Sequence, residues 1–150
     1  MKDLFNSPTS ALPERLSPHF TLREMTLSAT AIRRHLSNAP SAEATLRLRQ
    51  LCLAVLEPLR RRVGRVLITS GYRSASVNQA VGGAPTSQHC LGEAADIYVS
   101  SSEQAEKYAR IIQADTDFDQ LLLEPLGNRR KRWIHVSYTR RRANRHQVRR

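Results

Sequence analysis

A chain of 150 residues, 40% of them hydrophobic, is long enough to bury one compact core, and its apolar content is that of a globular domain. No stretch approaches the roughly 18 to 20 uninterrupted apolar residues of a membrane span, and two cysteines outside any C-x-x-C pair exclude a disulfide framework. The net charge of +11 favours an anionic partner, whether a nucleic acid, an anionic membrane surface or an acidic envelope polymer.

Residues 1–18 contain MKDLFNSPTSALPERL, which lacks an apolar segment followed by a small-residue cleavage site. They are expected to be an N-terminal extension of a protein made in the cytoplasm without a signal peptide. Over 18–30, Ser and Thr at N-cap positions suggest one or two short helical turns. The clearest helix spans 41–62: Ser41 can cap it, and Leu48, Leu51, Cys52, Val55, Leu56 and Leu59 recur at helical spacing. Pro58 lacks a backbone donor inside that pattern, so a kink or break is expected near Glu57.

A short β-branched strand over 65–69 and a short helix over 74–81 follow, the latter stopped by Gly82-Gly83. Next come a strand over 94–99 and an amphipathic helix over 102–114 with Ser102 as its cap. Two β-prone runs, 118–124 and 132–138, flank Pro125-Leu126-Gly127-Asn128 and suggest an antiparallel hairpin with a long loop. Residues 139–150, which hold Arg140, Arg141, Arg142, Arg145, Arg149 and Arg150, read either as a polyanion-binding tail or as a solvated, frayed end. The expected class is therefore a single α+β domain over 19–138, a small antiparallel sheet flanked by helices, and not a doubly wound parallel sheet.

One stretch carries chemistry. In SQHCLGEAAD, residues 87–96, an imidazole and a carboxylate lie seven positions apart around a glycine that permits a tight bend. A catalytic zinc takes three protein ligands and keeps a fourth position for water, so His89 and Asp96 need a third partner. His135 is the candidate, because Ile134 and Val136 would face one side of a strand and His135 the other. On residues alone the bland reading stays open: a strand histidine is more often a satisfied imidazole, and an Asp after a glycine turn often caps backbone donors. Cys90 neighbours His89 but would point the opposite way in an extended segment, and His19, His35 and His146 lie far from the motif in sequence.

The pattern Ser87-x-His89-x-x-Gly92-x-Ala94-x-Asp96, followed by Trp133-x-His135, resembles the zinc-dependent peptidoglycan peptidases of family M15. That family includes D-Ala-D-Ala carboxypeptidases and L-alanyl-D-glutamate endopeptidases and shares its fold with the Hedgehog signalling domain. Thr69-Ser70-Gly71-Tyr72-Arg73-Ser74, Val81-Gly82-Gly83 and Phe118-Asp119-Gln120-Leu121 extend the resemblance to the small phage and bacterial members, from about His19 to Tyr138. The resemblance implies a Hedgehog/DD-peptidase-like fold and a Zn2+ held by His89, Asp96 and His135. It also implies hydrolysis of an amide in the peptidoglycan stem peptide by metal-activated water.

Other roles follow as expectations. Some subfamilies place a Glu two residues before the Trp, where this chain has Lys131; the nearest upstream carboxylates are Glu124 and Asp119, and Glu124, closing an apolar run, is the favoured base. Arg73 is expected to hold a substrate carboxylate or the developing oxyanion, a role the resemblance supports. Ser87 would orient His89 or touch substrate, and Trp133 would line the cleft. The whole reads as a monomeric phage-type endolysin or a D,D-carboxypeptidase that reaches the cell wall after holin-type release, with its Arg-rich tail drawn to the anionic envelope. The rivals are an inactive zinc-binding adhesion domain and a basic nucleic-acid-binding protein, the latter supported by charge alone.

Overall fold

The structure is a computed structural model that describes residues 14–150. Residues 1–13, on which the expectation of no export signal mainly falls, lie outside the described residues. The first strand, β1 (Arg15–Ser17), turns back at Pro18-His19 and pairs antiparallel with β2 (Phe20–Thr21). Leu16 and Phe20 are each 1% exposed. Ser17 Oγ donates to Glu57 Oε2 at 2.6 Å, and the His19 backbone N–H reaches the same oxygen at 2.7 Å. The extension expected over 1–18 is thereby corrected, since Leu16 and Ser17 are committed to the interior and the domain begins by Arg15. Burial pushes the Glu57 carboxyl up, but Ser17 and His19 more than offset this and hold it below its ordinary value.

The short turns expected over 18–30 are α1 (Leu22–Thr26) and α2 (Ala29–Arg34), the first closed by a capping box between Thr21 and Glu24 and the second capped by Ser28. Ser41 caps α3 (Ala42–Leu51), which runs through a π-helical turn, Cys52–Leu56, into α4 (Glu57–Val63). The π turn has a local cause. Pro58 offers no N–H and its ring would press on the carbonyl four residues back, and the backbone widens so that the Glu57 N–H reaches Cys52 O, five residues back. The interruption expected near Glu57 is thus a widened turn in a continuous helix. Leu48, Leu51, Cys52, Val55, Leu56 and Leu59 are all 0% exposed, one unbroken apolar stripe.

That stripe joins a core shared with a five-stranded sheet of β3 (Ile68–Ser70), β4 (Ala94–Tyr98), β5 (Gln120–Glu124), β6 (Trp133–Ser137) and β7 (Gln147–Arg149). The strand order is β3-β4-β6-β5-β7. The short helix α5 (Ala75–Ala80) follows β3, and α6 (Ser102–Asp115) connects β4 to β5. Ser101, not Ser102, caps α6; Ser102 Oγ instead donates to Arg129 O and accepts from the Lys131 N–H, tying down the β5–β6 loop. Alternation divides the sheet. Ala95 and Ile97 of β4, Leu121 and Leu123 of β5, and Ile134 and Val136 of β6 enter the core, so their neighbours in sequence emerge on the other face. Among the described residues no helix is long and apolar enough to cross a membrane.

The sheet is not purely antiparallel, because β7 pairs parallel with β5. This corrects the boundary expected at 138: residues 139–150 are neither a separate tail nor frayed. Two buried acids hold them. Arg141 pairs with Glu93 at 2.7 Å, and Arg142 and Arg145 each pair with Asp119 at 2.9 Å. Glu93 and Asp119 are 2% and 0% exposed, so unpaired they would carry a heavy desolvation penalty. Burial pushes the Asp119 carboxyl up, but Arg142 and Arg145 overwhelm this and hold it well below the usual carboxylate range. A depressed value means that the pairing stabilises fully above the unfolded value of about 3.9 and fades as pH falls through the folded one. The stability gap between the parent chain and Asp119→Asn is therefore expected to be constant from pH 5 to 8 and to narrow below about pH 4. Urea unfolding at each pH checks this; a gap unchanged at the acid end would refute it.

Candidate metal centre

In the antiparallel register of β4 and β6, Asp96 lies opposite His135, while Ile97 lies opposite Ile134. Facing residues project to the same side of a sheet, so two core isoleucines fix an aspartate and a histidine side by side on the opposite face. His89 comes from a 3-10 turn, Gln88–Leu91, that ends at Gly92 with φ of +79°. A side chain there would also meet the Ala44 carbonyl oxygen at 2.5 Å, so that bend requires glycine twice over.

The three ligand atoms all lie within 4.8 Å of one another. Asp96 Oδ1 is 3.1 Å from His135 Nδ1 and 3.3 Å from His89 Nε2. The outer nitrogens are engaged: His89 Nδ1 donates to Gly71 O at 2.7 Å, and His135 Nε2 donates to Gln88 Oε1 at 2.9 Å. Carbonyl oxygens only accept, so these bonds fix the outer protons and leave lone pairs on the inner nitrogens. Three lone-pair-bearing atoms then face a common point, a donor set that suits a divalent cation such as zinc. Without a cation, the inner nitrogens can take protons as well, and then burial pushes the Asp96 carboxyl up but hydrogen bonds and charge from His135 and His89 outweigh it and hold it well below the usual carboxylate range; a bound cation takes the place of those protons. Gly71 is itself constrained, for a side chain there would strike Met25 O at 2.3 Å.

The triad sits in an open cleft of about 830 Å3. Gln120, Leu122 and Glu124 of β5 share the cleft face, with Leu122 opposite His135 and Glu124 opposite Trp133. Glu124 is half-buried, and its Oε2 accepts from the Leu126 N–H at 3.1 Å. Asp119, the other carboxylate considered as a base, faces no cleft: both its oxygens are taken by Arg142 and Arg145, and Gln88 Nε2 adds a third donor at 3.2 Å. Arg73 lines the cleft and donates its backbone N–H to His89 O and Nη1 to Asn78 Oδ1. Its Nε is buried and has no hydrogen-bond partner among the described residues. Ser87 Oγ accepts from the His89 N–H at 3.2 Å, so it orients His89 through the backbone of the 3-10 turn, and Trp133 lies beside Glu124 on the cleft floor.

The remaining candidates fall away from the triad. Cys90 is outside the ligand group, and burial pushes its thiol up. His19 pairs with Glu57 and His146 with Asp117. Two contributors escaped the sequence reading. Gln88 holds His135 with its carbonyl and Asp119 with its amide, joining three segments whose proximity no linear spacing reveals. Arg141, Arg142 and Arg145 line the cleft, a place that neither a polyanion-binding tail nor a solvated end anticipates.

Two histidines and an aspartate gathered in a cleft that also holds a carboxylate form a group that could hold a metal ion. The Peptidase M15 family model matches residues 18–137, and the chain belongs to that family of peptidases. No curated protein matches it.

Proposed function

We propose that the protein is a zinc-dependent peptidase that hydrolyses an amide bond in the peptidoglycan stem peptide. The observation that carries this reading is the His89, Asp96 and His135 triad with Glu124 on the same sheet face, at the floor of one open cleft. When bound, zinc supplies a lowered pKa for water and polarisation of the scissile carbonyl. Glu124 takes the proton of the attacking water and returns it to the leaving amine as the C–N bond breaks. Arg73, which lines the cleft, offers its guanidinium to a substrate oxygen. Ser87 and Gln88 keep His89 and His135 in register.

Cleavage within a chain, rather than removal of one terminal residue, is the favoured mode. A second depression of about 370 Å3, lined by Leu27, Thr30, Tyr72, Val77 and Val81 among others, shares Arg73 and Asp96 with the main cleft. A peptide that extends past the triad on that side would meet this depression. An endopeptidase of lysin type, acting at the cell wall after release from the cytoplasm, fits this groove better than a D,D-carboxypeptidase.

Digestion of purified peptidoglycan, with mass analysis of the products, tests the reading. New amino termini are expected, lost with a chelator, restored by Zn2+, and absent from His135→Ala. Free D-Ala alone would shift the assignment to a carboxypeptidase. Full zinc occupancy without cleavage would leave a metal-binding domain that is no enzyme.

A further inference from the structure

Three guanidinium groups of the C-terminal segment line the cleft, and the chemistry above uses none of them. Two are held in an unusual way. Arg141 grips Glu93 side-on, with Nε at 3.0 Å and Nη2 at 2.7 Å. Arg145 grips Asp119 likewise, with Nε at 3.1 Å and Nη2 at 2.9 Å. In both, Nη1 and its two protons have no hydrogen-bond partner among the described residues. Arg142 differs, presenting Nη1 and Nη2 end-on to Asp119, so its fork is already spent.

Burial is divided sharply along each pair. The Glu93 and Asp119 side chains are 3% and 1% exposed, whereas those of Arg141 and Arg145 are 47% and 48% exposed. The acids lie beneath the wall and the guanidinium groups stand on it. A planar cation clamped from behind has little rotamer freedom left to lose when an anion docks in front, which lowers the ordering cost of binding. On the wall itself three arginines face two carboxylates, while elsewhere in the cleft Arg73 is accompanied by Asp96 and Glu124.

Resting on the peptidase reading, we propose that Arg141 and Arg145 form a carboxylate-binding subsite that selects peptides bearing a free carboxylate close to the scissile amide. A γ-linked glutamyl residue has this form, because its chain continues through the side chain and leaves the α-carboxylate free. The subsite adds recognition on the wall contributed by residues 139–150, beyond the stretch matched by the family model.

Two synthetic stem peptides that differ only in a free α-carboxylate or a carboxamide at the γ-linked residue test the proposal. Their binding to the full chain carrying Glu124→Gln is measured by calorimetry, and their cleavage by the parent chain is measured in parallel. The free-carboxylate peptide is expected to bind roughly tenfold more tightly, the scale of a charge-assisted hydrogen bond. Arg141→Lys and Arg145→Lys keep a cation over each buried acid but remove the free N–H edge, so each should bring the ratio toward one. A fastening role alone would weaken both peptides equally or lower only the thermal midpoint. Equal binding of the two peptides, no binding of either, or a ratio untouched in both lysine variants would overturn the subsite. Cleavage of both peptides at one rate would remove the subsite and leave the peptidase reading standing. A retained binding ratio without cleavage would do the reverse.

Discussion

Glu124→Gln is expected to lower kcat on peptidoglycan by about 10²- to 10⁴-fold, the usual contribution of a positioned acid–base group, with zinc affinity unchanged. The separation matters because Glu124 lies on β5, whereas the proposed ligands lie on β4, β6 and the 3-10 turn before β4. Glutamine is nearly isosteric and can still accept the Leu126 N–H, so the end of β5 keeps its shape. What it loses is the ability to take and return a proton. A variant that bound zinc normally and hydrolysed at the parental rate would remove Glu124 from the mechanism. Asp119, fully paired beneath the arginine wall, could not take over without breaking those ion pairs.

Deleting residues 140–150 is expected to cost several kcal/mol of stability, a large share of the ~5–15 kcal/mol that holds a typical domain together. Three losses combine: β7 leaves the edge of β5, Val148 leaves the core margin, and Glu93 and Asp119 lose their arginines. Stranding a buried charge alone costs on the order of 3–5 kcal/mol, less where the deletion also lets water in. Urea unfolding of the truncated and full chains measures the difference. A truncated chain with an unchanged midpoint would mean that these residues contribute nothing to folding, as a frayed tail would.

The helices and strands were legible because their signals are local. Leucines and valines at helical spacing marked 41–62, and Ile134 and Val136 flanking His135 marked a strand with its histidine on the other face. The π turn was half legible, since Pro58 announces a missing donor but not how the backbone absorbs it. The ligand set needed more than spacing. His89 and Asp96 lie in one motif, but His135 joins them only through a register that Ile97 and Ile134 set from the core side.

The C-terminal segment was illegible for a different reason. Its arginines look like a solvated run until Glu93 and Asp119 are known to be buried, and burial of an acid is a tertiary fact. Val148, an apolar residue within the basic stretch, was the one local hint that the chain returned to the sheet. Gln88 was hidden in the same manner, as its two partners lie 31 and 47 residues away in sequence.

The pairing of Asp96 with His135 spans 39 residues of chain, with α6 and β5 lying between β4 and β6 in sequence. Contacts so distant in sequence form late, because the entropy of closing the loop is spent before they reward it. A nascent or partly folded chain therefore holds His89 and Asp96 together in one short segment but lacks the third ligand. On the proposed peptidase reading, hydrolytic competence thus depends on completion of the sheet.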